Sequence, residues 1–209
     1  MARTFTESGR RSQIVQAAIE VIAEAGYAKA TFARIAKHAG LSSTGMISYH
    51  FAGKDDLLRE VVAEVLRVSQ EYMVPRIEAE TGARARLHAY VRSNVELVAV
   101  HPRHLAALLE VLNVQGGDSE AQFAENQRAM MEMQEGLVRM AQASGEYGAF
   151  DARVLVTALR GAIDAVLVRT MRDPEMDVAT SARELAELFD RAVRPVEVCM
   201  EPHRGQGES

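Results

Sequence analysis

Apolar residues recur three and four positions apart along most of this chain, and no stretch alternates apolar with polar residues as a half-buried strand does. Ile14, Ala18 and Val21 show the helical spacing in the first segment, and Gly26 follows them as a terminator. Aromatic residues make up only 5% of the chain and Trp is absent, which disfavours a sheet-rich fold. The sequence therefore predicts an all-α fold.

The periodicity and the capping residues predict about nine helices. Two of them, capped by Thr31 and Ser43, are only about two turns long and need a third helix to pack against. We expect Pro75 to kink or end the fourth helix. The predicted helices are 9–25, 32–39, 44–51, 54 to about 75, 83–100, 103–114, 119 to a break at 144–148, 152 onward, and 178–193.

The two short helices and the turn Ala39-Gly40-Leu41-Ser42 make a helix-turn-helix pattern. The second helix of such a motif lies in the DNA major groove and presents hydrogen-bonding side chains to base edges. Helix, turn and helix also occur in proteins that touch no nucleic acid. The pattern alone therefore leaves open a DNA-binding protein and a helical adaptor without DNA binding.

The charge is unevenly distributed along the chain. Residues 1–54 carry seven Lys and Arg against three Glu, a formal charge of +4, so the total of −5 leaves −9 for residues 55–209. A basic segment before an acidic body suits a protein that meets phosphate with its N-terminal end. The alternative is that these charges only keep a small bundle in solution.

The N-terminal segment resembles the DNA-binding domain of the TetR (tetracycline-repressor-like) family over residues 10–60. The matching positions are Ile14, Ala17-Ala18, Gly26, Thr31, Ile35-Ala36, Ala39-Gly40-Leu41-Ser42, Gly45, Phe51 and Lys54-Asp55-Asp56-Leu57. The resemblance implies a homodimeric transcription regulator, usually a repressor, that leaves a palindromic operator when a small molecule occupies its C-terminal domain. It implies residues 1–54 as the DNA-binding domain, a fourth helix linking the two domains, and residues 55–195 as the ligand-binding and dimerisation domain.

The resemblance also implies roles for single residues. Thr31 would bond a phosphate, Gly45 would begin the exposed face of the recognition helix, and Lys54 would hold a phosphate and link the two domains. Thr31 can equally be a simple cap, and Gly45 can simply allow close packing. The predicted DNA-binding residues are Thr31, Arg34, Ser43, Thr44, Gly45, Met46, Ser48, Tyr49, His50 and Lys54.

Two features depart from the family pattern. The interval from Gly40 to Phe51 is one residue longer than is common in the family, and Ser48 stands where many members have a phosphate-binding tyrosine. The base that each side chain meets is therefore left open.

The eighth helix is apolar around most of its circumference, so it must be buried on two sides. One face would pack within the subunit and the other would form a four-helix interface with a second copy. The alternative is a central helix of a monomeric bundle. The predicted dimer residues are Leu155, Ala158, Ala162, Ala165, Leu185, Leu188, Phe189 and Ala192.

Four of the ten methionines lie within eleven residues of the seventh helix. Flexible thioethers suit an adaptable apolar pocket, although methionines at helical spacing are more often plain core. Few aromatic residues disfavour a cage for flat cations, which favours an apolar or acyl-like effector. The predicted pocket residues are Asn94, Glu110, Asn113, Gln127, Met130, Met131, Leu159 and Ile163.

An enzyme is the competing class of protein. His101, His104 and Glu110 could be imagined as a metal or general-base site, but no third ligand follows at a diagnostic spacing and no nucleophile elbow occurs. Cys199 is the single cysteine, which excludes an intramolecular disulfide. We therefore expect no catalysis, no cofactor and no metal.

The first twelve residues are polar and basic, and no apolar run reaches membrane-spanning length. We expect a cytoplasmic protein without a membrane partner, with residues 196–209 as a flexible tail.

Overall fold

The computed structural model describes residues 5–112, 118–173 and 175–196, and within these ranges it contains helices and no strand. The all-α prediction is confirmed. The helices are α1 (Phe5–Ala25), α2 (Phe32–His38), α3 (Gly45–His50), α4 (Lys54–Glu78), α5 (Ala83–Val100), α6 (Pro102–Leu112), α7 (Asp118–Ala143), α8 (Ala152–Arg172) and α9 (Val178–Val193), with a 3₁₀ turn at Tyr27–Lys29.

Of the two predicted effects of Pro75, a kink or the end of the fourth helix, the end is wrong, because α4 continues to Glu78. Pro75 costs one backbone hydrogen bond, but its own carbonyl still accepts from the N–H of Ala79 at 3.1 Å. The loss falls one turn before the end of the helix, where few bonds depend on it.

The helices α1, α2 and α3, here called the head, share one apolar core with α4 and α6. Ile14, Ala18 and Ile22 of α1 are fully or almost fully buried against Ile35 and Ile47. The same cluster continues through α4 from Leu57 to Val65 and takes in Ala107 and Val111 of α6. Head and body are therefore joined by continuous packing as well as by the backbone of α4.

The helices α5, α7, α8 and α9, here called the body, bury a second cluster. The interior face of α8 carries Leu155, Leu159 and Ile163, and Phe189 reaches it from α9. The helix α5 packs against α4, α8 and α9 and is the centre of this half of the chain.

A set of polar contacts fastens the start of α5 to the rest of the body. Arg84 Nε and Nη2 each donate to a carboxylate oxygen of Asp190 at 2.8 Å. Glu146 accepts from the backbone N–H of Ala83, and the hydroxyl of Tyr147 donates to the Ala83 carbonyl at 3.0 Å. Burial raises the pKa of Tyr147 to about 12, so this hydroxyl stays protonated and keeps donating.

We expect the Arg84–Asp190 pair to make stability depend on acid. The hydrogen bond from Arg84 holds the pKa of Asp190 at about 2, so the pair stabilises the fold above the ordinary carboxyl pKa of about 4 and loses this contribution as pH falls towards 2. Asp190→Asn should lower the midpoint of thermal unfolding at pH 7 by about 2–4 °C.

The difference between Asp190→Asn and the unchanged protein should shrink between pH 4 and pH 2 in calorimetric scans. Glu71→Gln is the matched control, because it removes a carboxylate whose side chain is 64% exposed. A difference that is equally large at pH 7 and pH 2.5 would show that Asp190 acts through packing rather than charge.

Candidate nucleic-acid interface

A side-chain cap begins α2 and a tight turn leads into α3, which starts after Thr44 without a side-chain cap bond, so the cap predicted at Ser43 is wrong. The hydroxyl of Thr31 accepts from the backbone N–H of Arg34 at 3.2 Å, so Thr31 is the cap of α2. Gly40 has φ +66°, a left-handed conformation that favours glycine, and the N–H of Leu41 then returns to the Ala36 carbonyl at 2.8 Å. This turn directs the chain into α3.

The helix α3 is anchored by apolar residues and presents its polar side chains outward. Ile47 is completely buried and Phe51, just after the helix, is 2% exposed. Tyr49 is 74% exposed. The other outward positions of this segment are Ser43, Thr44, Gly45, Met46 and Ser48. Hydrogen-bonding side chains on an exposed helix face are what readout in a major groove requires.

The remaining two predicted members of this surface have partners within the head. His50 is half-buried, and its ring lies edge to face against Tyr49 with 5.1 Å between the centroids. Lys54 Nζ donates to the Tyr27 carbonyl at 3.1 Å and lies 3.8 Å from the centroid of the Tyr27 ring. Burial lowers the pKa of Lys54. Lys54 thus joins α4 to the 3₁₀ turn, while its contact with phosphate stays a prediction.

Two residues of α1 that the sequence analysis did not single out hold the helix-turn-helix in place. Gln13 Nε2 donates to the Ala39 carbonyl in the turn at 2.8 Å, and Arg11 Nη1 donates to the His50 carbonyl at the end of α3 at 2.6 Å. Both acceptors are backbone atoms, so no residue type in the turn or in α3 signals them. The only sequence signal was that Arg11 belongs to the basic N-terminal segment.

The helix α6 meets the head through charged groups as well as apolar packing. Glu110 Oε2 accepts from the backbone N–H of Tyr27 at 3.1 Å. Arg103 Nη1 lies 3.9 Å from Glu20, which also meets His38 Nε2 at 2.6 Å. The hydrogen bond from His38 lowers the pKa of Glu20 and keeps it ionised.

The structure corrects part of the pocket prediction. Glu110 faces the head, because it shares the side of α6 that buries Ala107 and Val111 against α1. Gln127 and Met130 are exposed, and they lie in the first half of α7, before Val138 and Ala141, the residues that this helix buries in the body cluster. Asn113 lies outside the described residues.

The other four pocket candidates lie inside the body. Leu159 and Ile163 are buried and Met131 packs against the same cluster. Asn94 is 8% exposed, and its Nδ2 donates to the Tyr90 carbonyl at 2.9 Å.

The structure also divides the predicted dimer residues into two groups. Leu155 and Phe189 are buried within this chain, because they share the inner faces of α8 and α9 with the core, so their assignment to an outer surface was wrong. The exposed members are Ala158, Ala165, Leu188 and Ala192, and the half-buried ones are Ala162 and Leu185. Val154, which is not among the predicted residues, is 66% exposed on the outer face of α8.

The side chains considered for catalysis have separate partners. The rings of His101 and His104 pack edge to face at 5.5 Å, whereas Glu110 bonds to Tyr27. Burial lowers the pKa of His104. In the described ranges, no three or more His, Cys, Asp or Glu side chains stand together as metal ligands would.

None of the helices described has both the length and the apolar character that crossing a bilayer demands.

Two family models match this chain. The model described as "Bacterial regulatory proteins, tetR family" matches residues 14–61, which run from α1 into α4. The model described as "Tetracyclin repressor-like, C-terminal domain" matches residues 80–168, which run from the start of α5 into α8.

The similar curated proteins are transcriptional regulators. The regulator BetI of Stenotrophomonas maltophilia is 40% identical over 98 residues, which are 46% of this chain and 49% of that protein. This chain thus spans about half the length of BetI regulators that it matches. The fatty acid metabolism regulator protein of Bacillus subtilis is 28% identical over 181 residues, 85% of this chain and 92% of that protein.

Solved structures share the fold over most of the chain. FadR from Bacillus subtilis, in complex with stearoyl-CoA, superposes with a TM-score of 0.75 at 24% identity, covering 88% of this chain and 99% of that one. AibR, in complex with isovaleryl coenzyme A and operator DNA, superposes with a TM-score of 0.70 at 18% identity, covering 89% and 98%. At these identities the likeness establishes the fold.

Proposed function

Because this chain belongs to the tetR family of bacterial regulatory proteins, we propose that it is a transcriptional regulator that binds an operator in double-stranded DNA as a homodimer. The observation that carries the proposal is the outward face of α3. Polar side chains from Ser43 to Tyr49 stand in solvent while Ile47 and Phe51 fix the helix from behind. Such a helix can enter a major groove without losing its own packing.

In this proposal residues 1–54 bind DNA, α4 links the two domains, and residues 55–195 bind an effector and pair the subunits. Thr31 and Arg34, at the exposed start of α2, lie where the first helix of the motif crosses the phosphate backbone. The charge of +4 on residues 1–54 favours their contact with phosphate, whereas the charge of −9 on residues 55–209 disfavours contact of that part with phosphate. No residue is assigned a catalytic role.

Tyr49 tests whether α3 contacts base edges. We expect Tyr49→Ala to change which sequences the protein selects from a random DNA pool and to weaken its best site about tenfold, because the side chain is 74% exposed on the outward face of α3. Fluorescence anisotropy with the selected duplex and with a scrambled duplex measures both affinities.

Lys37→Ala is the control, since it removes a cation from the exposed side of α2 and should weaken binding to all sequences alike. Equal weakening on every sequence by Tyr49→Ala would contradict base contact by Tyr49. If the unchanged protein enriched no sequence from the pool, the helical adaptor would replace the regulator as the interpretation.

The exposed small residues of α8 support pairing with a second copy. Val154, Ala158, Gly161 and Ala165 lie on one outward face, at spacings of four, three and four, and Leu188 of α9 is 53% exposed. Small side chains let two helices approach closely, and burying such a face against its copy gives a closed two-fold interface. Two symmetric heads explain why the operator would be palindromic.

We expect light scattering after size exclusion to give a mass of about 46 kDa, twice the 22.9 kDa of the chain. Ala158→Arg should shift the protein to the monomer and remove most operator binding. Met133→Arg, on an exposed face of α7, is the matched control and should leave the dimer intact. A dimer that survives Ala158→Arg would place the interface elsewhere.

We further propose that an acyl thioester is the effector and that its binding releases the operator, as a repressor requires. FadR and AibR, which share this fold, are described in complex with acyl-CoA thioesters. The interior of the body offers an apolar wall that includes Met131, Leu159 and Ile163, and Asn94 of α5 is a buried polar residue of the same part of the chain. The thioether of Met131 is flexible, so this wall can adapt to an acyl chain.

We expect a long-chain acyl-CoA to raise the midpoint of thermal unfolding and to release the operator, while free CoA and the free fatty acid act much more weakly. Met131→Ala should raise the acyl-CoA concentration that releases half of the DNA by about tenfold, through lost apolar contact. Met133→Ala on the exposed face should leave that concentration unchanged. If acyl-CoA of every chain length failed to release the DNA, this effector class would be contradicted. The proposal that the protein binds DNA would still stand.

A further inference from the structure

The helix α3 cannot hold its own orientation. It has six residues, less than two turns, and Ile47 is its one buried side chain. A helix of this length is unstable in isolation, so its angle to the rest of the head is set by the contacts made at its ends. The contacts at its C-terminal end therefore decide where Tyr49 and His50 stand.

Arg11 makes the principal polar contact at that end. Its Nη1 donates to the His50 carbonyl at 2.6 Å, and its guanidinium carbon lies 4.2 Å from the centroid of the Phe51 ring. Its Nη2 lies 2.7 Å from Glu60 Oε1 of α4. A guanidinium is planar with its donors in a fixed fork, so one side chain sets α1, the end of α3 and α4 at fixed angles.

The surroundings of Arg11 separate it from the basic residues that can meet phosphate. Its side chain is only 12% exposed and its charge is paired with Glu60. Arg10, the preceding residue, is exposed and donates to Gln13 of its own helix at 2.6 Å. Neighbours of the same charge thus have different environments, one inside the head and one on its surface.

Arg11 donates to a backbone carbonyl at the end of α3, the carbonyl of His50. The His50 carbonyl is one of the last four of α3, which have no partner within the helix. The same residue carries a side chain of the candidate interface, and Tyr49 directly precedes it. A hydrogen bond to a base edge weakens when the distance between donor and acceptor changes by more than a few tenths of an ångström. A tilt of α3 would therefore break the bonds to base edges while contacts to phosphate elsewhere persist.

We propose that Arg11 is a positioning residue for operator recognition: it fixes α3 against the major groove from behind and controls sequence discrimination without touching DNA. The proposal rests on the DNA-binding function proposed above. It assigns to Arg11 an effect on the ratio of specific to non-specific affinity, and none on the number of phosphates contacted.

The test compares Arg11→Met with Lys37→Met, which removes the same charge from the exposed side of α2. Affinities for the selected operator and for a scrambled duplex are measured by anisotropy over a range of salt concentrations. Arg11→Met should lower the ratio of the two affinities at least about tenfold with an unchanged salt dependence. Lys37→Met should keep the ratio.

Arg11→Lys and Glu60→Gln extend the test and carry it if Arg11→Met fails to fold. Lysine keeps the charge without the fork, and glutamine weakens one of the three contacts. Each should reduce the ratio of operator affinity to scrambled-duplex affinity about threefold or more. The midpoint of thermal unfolding of each variant shows whether it is folded.

An unchanged ratio in folded Arg11 variants would overturn the inference. So would equal loss on both duplexes with a salt dependence smaller by about one phosphate, because that marks Arg11 as a phosphate contact. A lack of discrimination by the unchanged protein would instead contradict the proposed function, before any variant is compared.

Discussion

The attachment of the two short helices to α1 is the constraint on which the candidate interface depends. Neither α2 nor α3 is long enough to persist alone, and both gain their stability by covering the apolar stripe of α1 around Ile14, Ala18 and Ile22. Apolar packing holds them but leaves their angles loosely defined. Gln13 on the turn carbonyl and Arg11 on the end of α3 add direction, because hydrogen bonds to backbone atoms fix position and orientation together.

The same core explains how events in the body can reach the head. The helix α6 contributes Ala107 and Val111 to the apolar cluster of the head, and Glu110 bonds to the backbone of the 3₁₀ turn. Its first turn brings Arg103 towards Glu20, the partner of His38 in α2. Any displacement of α6 therefore moves several fixed contacts of α1 and α2 at once. The proposed release of DNA by an acyl thioester needs only such a displacement, driven by a difference in affinity between the two arrangements.

Periodicity and capping predicted the helices well, because each depends on neighbours close in sequence, as the cap by Thr31 shows. The errors arose where tertiary packing decides. Because α8 is apolar around most of its circumference, its sequence does not reveal which side faces the subunit core, so Leu155 was assigned outward although it shares a face with Leu159. Arg11 escaped notice because its partner is a carbonyl 39 positions away. The outward side chains of α3 were predictable, since the buried Ile47 and Phe51 leave the others only the solvent side.

The central claim is that two copies of α3, fixed on their heads, enter adjacent major grooves. Hydroxyl-radical footprinting on the DNA that the protein selects from a random pool tests this most directly. The account predicts two protected segments related by inverted symmetry, centred about one helical turn apart on one face of the duplex. Protection of a single segment, or uniform protection that disappears with salt on every sequence alike, would contradict it.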